Sequence, residues 1–148
     1  YSLYTKGEMV NNCLNLVFLK GILEKSTSCG KPGRKQFWTR KDTNHCGVCM
    51  PCIYRRASLN SSGNDLQVYG KDITKSLSRD SSTDLPVLIN YLKKDISFKQ
   101  MKRDILINGS IPLDELGKYA EMVLRSKSEV LQLFKDKGNQ FIKTELGI

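Results

Sequence analysis

The chain has 148 residues, 39% of them hydrophobic and 26% charged, with a formal net charge of +9. That is enough apolar material for one domain with a buried core, and it excludes a predominantly disordered chain. No apolar run reaches the length of a transmembrane helix, and the residues present contain no signal peptide. The positive charge suits phosphate-bearing ligands such as ATP, RNA or DNA; a solvated, lysine-rich surface is the other reading.

Thr5 and Glu8 have the spacing of a capping box, which satisfies two amides at a helix start. The spacing predicts one helix from there to about Glu24, with Met9, Cys13, Leu16, Val17 and Leu23 toward the core. On that face Cys13 reads as a small apolar residue and not as a ligand. Lys6, in the first turn, is either a phosphate contact or an exposed helix lysine. Residues 26–44 read as a loop, because Gly30, Pro32 and Gly33 interrupt regular structure. Within it Phe37 and Trp38 are expected to cover whatever lies beneath, or to offer a stacking platform for a base. Arg34, Lys35, Arg40 and Lys41 make the loop basic.

The rest of the chain is arranged around Cys29 and the run His45-Cys46-Gly47-Val48-Cys49-Met50-Pro51-Cys52. Two overlapping Cys-x-x-Cys steps and a fourth cysteine upstream supply the thiolates of a tetrahedral zinc site, with zinc–sulfur distances of about 2.3 Å. Disulfides or free thiols are the competing reading. Five cysteines, three of them within seven residues, fit disulfides poorly and fit a reducing cytoplasm well. Four sulfurs leave no open position for water, so the metal is expected to be structural. His45 is an alternative ligand, although a side chain adjacent to Cys46 reaches the same ion awkwardly. Gly47 suits a tight turn, and Pro51 suits the first turn of a helix over residues 52–59. On that helix, one of Arg55 and Arg56 is expected to support the sulfurs and the other to reach a phosphate; two solvated arginines are the alternative. With four thiolates and one zinc the folded charge would be nearer +7.

Residues 60–83 are polar and read as a linker, with one apolar stretch, Leu66 to Gly70, as a short strand or extended contact. Residues 84–148 read as a helical extension. Thr83 or Asp84 caps a helix with Leu85, Leu88, Ile89, Leu92 and Ile96 on one side. Ser97 to Gln100 is a second capping box, before a helix carrying Phe98, Met101, Ile105 and Leu106 and ending at Asn108-Gly109. Pro112 opens a long helix to about Lys137, with Leu113, Leu116, Ala120, Val123, Leu124, Val130, Leu131 and Phe134 on one side and Gly138 as its stop. A short amphipathic end follows from Phe141 to Ile148.

Three motifs occur in order: Thr5-Lys6-Gly7-Glu8-Met9-Val10, then Ser26-Thr27-Ser28-Cys29, then His45 through Ala57. Together they resemble the C-terminal part of the cyano-deazaguanine synthase family of queuosine biosynthesis. That family has a Thr-Lys-x-Glu helix start, a Ser-Cys, and a Cys-Gly-x-Cys-x-x-Cys-x-x-Arg run. The resemblance covers roughly Thr5 to Leu59. The segment beyond resembles the extension in relatives from bacterial anti-phage operons. The family's Ser-Gly-Gly-x-Asp-Ser ATP loop has no counterpart here, since Asn60 to Asp65 follows the cysteines and no strand.

The resemblance implies a mainly α, zinc-containing chain: the C-terminal portion of an α/β PP-loop ATP pyrophosphatase-like protein, followed by a helical extension. The expected division is 1–59, a linker at 60–83, and 84–148. The missing loop and the start at Tyr1 read as a C-terminal fragment, inactive alone, of an ATP-dependent enzyme. That enzyme would adenylate a carboxylate on a deazaguanine ring, and a nitrogen nucleophile would then attack: ammonia, or the amine of a partner protein from the same operon. The implied ligands are zinc at Cys29, Cys46, Cys49 and Cys52, and ATP and a deazaguanine precursor near Lys6, Arg55 and Arg56. A homodimer is a further expectation; a membrane is not, and nucleic acid is not the favoured partner. The competing reading is a zinc-stabilised module that binds nucleic acid or protein through its basic surface.

Overall fold

A computed structural model describes residues 2–75 and 82–148. Among the described residues the chain is mainly helical, without strands. Seven α-helices follow in order: α1 (Lys6–Asn11), α2 (Leu16–Ile22), α3 (Met50–Asn60), α4 (Asp84–Lys93), α5 (Phe98–Asn108), α6 (Leu116–Lys137) and α7 (Gln140–Leu146). None is long and apolar enough to cross a membrane.

The capping box forms as expected. Thr5 Oγ1 accepts from the Glu8 amide at 3.0 Å, and Glu8 Oε2 accepts from the Thr5 amide at 2.8 Å. The single helix expected to reach Glu24 does not form. The chain leaves helix after Asn11, and Asn15 caps a second helix by accepting from the Phe18 amide at 2.9 Å. Asparagine competes well for backbone donors, so Asn12 and Asn15 favour a cap over continuation. The break redirects the apolar face: Val17 and Phe18 are 84% and 63% exposed, Leu16 and Met9 are also exposed, and Cys13 is only partly covered.

Polar groups dock α1 on the long helix α6. Glu129 accepts from the Thr5 hydroxyl and from the Gly7 amide, and Arg125 donates to Glu8 Oε1 at 2.6 Å and to the Leu3 carbonyl at 2.9 Å. α6 packs in turn on α3 and α5. It begins at Leu116 and not at Pro112; Pro112 to Glu115 forms a turn and leaves Leu113 exposed. Leu133, which the predicted stripe omits, is fully buried beside Val130 and Phe134.

The stretch expected to link two regions carries Asp65, Tyr69 and Ile73 into the interior. Residues 76–81 of it lie outside the described residues. Leu66 to Gly70 is extended contact and not strand: the Gly70 and Lys71 amides donate to the His45 and Cys46 carbonyls at 2.8 Å each. One apolar cluster joins the cysteine loop and α3 to Ile73, to Leu85, Leu88, Ile89 and Leu92 of α4, and to Val130, Leu133, Phe134 and Ile142. Burial of these side chains at about 1.5–3 kcal/mol each is the main force holding the helical extension to the cysteine region.

Asp84 caps a helix other than its own. The start of α4 has no side-chain cap; Asp84 Oδ2 instead accepts from the Met50 amide at the start of α3, 3.0 Å away, and Oδ1 pairs with Lys31 at 2.5 Å. The second capping box is half made. Ser97 accepts from the Gln100 amide, while the Gln100 side chain turns to Asp104.

These carboxylates set an acid limit. The Arg125 guanidinium and the Thr5 amide hold the Glu8 carboxyl below its ordinary value. Burial raises Asp84, but hydrogen bonds from Lys31 and the Met50 amide outweigh it and leave that carboxyl low as well. A carboxyl lowered in the folded state stabilises above its unfolded value, about pH 4, and that stability fades as pH falls through the folded value. We expect the urea midpoint to hold between pH 7 and pH 5 and to fall below about pH 4. Asp84→Asn should flatten part of that fall; an unaltered acid slope would contradict the role given to Asp84.

Candidate metal centre and adjoining cavities

Cys29 sits at the end of the loop that follows α2, Cys46 and Cys49 on the loop before α3, and Cys52 in the first turn of α3. Folding brings the four sulfurs within 4.8 Å of one another. Cys29 and Cys49 are 4.0 Å apart, and Cys46 and Cys52 are 3.8 Å apart. A tetrahedron with metal–sulfur bonds of about 2.3 Å has edges of about 3.8 Å. All five cysteines are unpaired by disulfides. The four-sulfur cluster can therefore hold a metal ion such as zinc.

The backbone around the sulfurs is built for negative charge. Cys29 Sγ accepts from the Lys31 and Cys46 amides at 3.4 Å, and Cys46 Sγ accepts from the Cys49 amide at 3.2 Å. The N-terminus of α3 points its positive dipole end at Cys49 and Cys52. Amides and not the expected arginine thus support the cluster. The sulfurs also oppose one another. Hydrogen bonding from the Cys46 and Cys52 thiols holds Cys49 low, and those two are held high, Cys46 at about 11. As four thiolates they would need a cation among them, which a metal ion could supply.

Close packing fixes the loop. Gly47 has φ +81°, and a Cβ there would run into Tyr69 and the Lys71 carbonyl. At Gly70 a Cβ would enter the Trp38 ring. Trp38 is 5% exposed and belongs to the cluster around the cysteines, whereas Phe37, expected beside it as cover, is 66% exposed. The 3₁₀ turn Pro32–Phe37 forms where a loop was expected and ends between the two rings: Trp38 leaves it in extended backbone, with φ −89° and ψ 144°. His45 is buried, and its Nε2 lies 3.4 Å from the Ser28 amide that donates to it. Its ring ties the Ser28-Cys29 segment to the second loop and lies outside the four-sulfur set. Burial and the Arg55 charge hold His45 below its ordinary value.

The structure divides the three cationic residues expected at a phosphate. Lys6 and Arg55 line one cavity of about 410 Å³ between α1, α2 and α3. Its walls include Met9, Leu19, Ile22 and Leu59, with Ser26 and Ser28 as hydroxyl groups. The Ser28 Oγ is buried without a hydrogen-bond partner. Arg55 fixes the cavity's edge, donating to Gln67 at 2.9 Å, Ser26 Oγ at 3.0 Å and the Leu23 carbonyl at 2.6 Å.

Arg56 points elsewhere. It is 3% exposed, lies over the Tyr69 ring at 4.2 Å, and donates to Asp65 Oδ2 at 3.2 Å. Lys137 reaches the same oxygen at 3.1 Å, and the Tyr69 hydroxyl donates to Asp65 Oδ1 at 2.5 Å. Asp65 is the residue that sequence reasoning missed. Its isolated position in a polar stretch gave no signal, and only Tyr69 four residues on, the same distance as a helical neighbour, hinted at a partner.

Asp65 joins α3 to the end of α6, so its loss leaves two cations facing each other without a carboxylate. We expect Asp65→Ala to cost about 3 kcal/mol in urea unfolding, the scale for breaking a buried pair. A loss under about 0.5 kcal/mol would show that the network holds little. No protein family, curated protein or solved structure matches the chain.

Proposed function

We propose that the chain is the zinc-bearing C-terminal part of an ATP-dependent, deazaguanine-forming enzyme related to the cyano-deazaguanine synthases. The observation that carries this reading is the cavity between α1, α2 and α3. It draws on all three motifs of the resemblance: Lys6 from the first, Ser26 and Ser28 from the second, and Arg55 from the third. Apolar walls with hydroxyls and a cationic rim suit an anionic heterocycle. In this reading the carboxylate of the deazaguanine faces Lys6, and the adenylate formed from ATP lies toward the exposed face of α2. Val17 and Phe18, exposed here, would pack against a nucleotide-binding half that supplies the ATP loop.

Zinc has a structural part in this scheme. Bound by Cys29, Cys46, Cys49 and Cys52, it would supply the charge that lets four thiolates coexist. The chain's own residues do the rest. The cysteine loop fixes the start of α3, α3 carries Arg55, and Arg55 holds the Leu23 to Ser26 edge of the cavity. Lys6, exposed at the mouth, is placed to attract an anionic carboxylate or phosphate. In the anti-phage branch of this reading the nucleophile is the amine of a partner protein, and the helical extension α4 to α7 is the segment that this branch adds.

Separate measurements test the zinc and the cavity. Elemental analysis should find one zinc per chain, and Cys49→Ser should remove cooperative thermal unfolding, because structural zinc binding is folding energy. A Cys49→Ser chain as stable as the parent would sink the zinc assignment. In the longer enzyme, Lys6→Ala should lower ATP-dependent turnover about tenfold or more with the melting temperature unchanged. Undiminished turnover would remove Lys6 from the site.

A further inference from the structure

Phe37 stands two-thirds exposed between two depressions, and it lines both. The larger, about 670 Å³, contains five cationic side chains and two carboxylates. Arg40, Arg56, Lys75 and Lys137 are among the cations, and the smaller depression, about 300 Å³, adds Arg34 on the other side of the ring. Neither shares a residue with the cavity of Lys6 and Arg55.

Three observations give this groove a ligand. First, its one buried carboxylate is already shared between two of its cations. Asp65 serves both Arg56 and Lys137, and Arg56 Nη1 is buried with no acceptor. The pair Arg40–Asp42 at 3.3 Å is on the surface, where such pairs are weak. Second, an aromatic ring left in water between cations offers a flat face for stacking, and Trp38 next to it is already used for packing. Third, the cations continue past the ring on both sides, so the groove suits a chain of phosphates and not one phosphate group.

We propose that this groove binds single-stranded nucleic acid, with a base stacked on Phe37 and the backbone running between Arg34 and the Arg40–Lys75 side. A duplex would keep its base faces stacked inside and offer Phe37 none. An acidic polypeptide would meet the cations but leave the ring unused. The inference stands apart from the proposed enzyme activity, and neither depends on the other.

The test uses the zinc-loaded chain and a fluorescein-labelled 12-nucleotide oligothymidylate, read by anisotropy across a salt series. Binding should weaken as salt rises. Phe37→Ala should weaken it about tenfold, within the range for loss of one stacked base, with the circular dichroism melt unchanged. Arg40→Ala with Lys75→Ala should make the salt slope shallower by about 1.4, at roughly 0.7 for each phosphate contact on a single strand. Polyglutamate should compete poorly. The proposal is overturned if the parent does not bind at low salt, if Phe37→Ala binds like the parent, if the double variant keeps the full slope, or if polyglutamate competes as well as the oligonucleotide.

Discussion

Four sulfurs within 4.8 Å of one another are a problem in electrostatics before they are a motif. Each thiolate raises the energy of the next, and amides donated by Lys31, Cys46 and Cys49 offset only part of that. A dication would remove the conflict and make the crowding a joint between the two loops. The cysteine loop leads into α3, whose Met50 amide Asp84 caps from across the interior. In this way the cysteine region and the helical extension share one apolar cluster.

α3 distributes chemistry to two sides. Arg55 and Arg56 are neighbours in sequence, and a helix sends neighbours about 100° apart. One therefore braces the cavity that Lys6 enters, and the other is drawn inward over Tyr69 to Asp65. The same divergence occurs at Phe37 and Trp38, where one ring packs and the other faces water. In each adjacent pair the two similar residues thus serve different surroundings. Two surfaces result: an apolar cavity with a cationic mouth, and an open basic groove with an aromatic ring at its middle.

Much of this was legible in the residues. The Cys-x-x-Cys steps and Cys29 pointed to the four sulfurs that the fold brings together, because ligand spacing is a local property. Thr5 and Glu8, and the apolar stripe from Leu85 to Leu92, announced their helices by cap and period. What the sequence hid was mostly non-local. Asn12 and Asn15 are the local exception, each bonding a backbone group where a helix ends or starts. Asp65, Tyr69 and Ile73 sit among polar and glycine residues that read as a linker; Arg56 on α3 is a near neighbour in sequence, but Lys137 and Asn139, which meet Asp65 and Ile73, are some seventy residues away. Asp84 looked like a cap for its own helix and serves another.

The most direct test of the account is X-ray absorption at the zinc edge on the purified chain. The account predicts a single shell of four sulfurs at about 2.3 Å and no nitrogen or oxygen neighbour. A shell containing nitrogen would bring His45 into the set, and a sample without bound zinc would leave the four thiolates unexplained; either result would contradict the centre on which the structure is argued to rest.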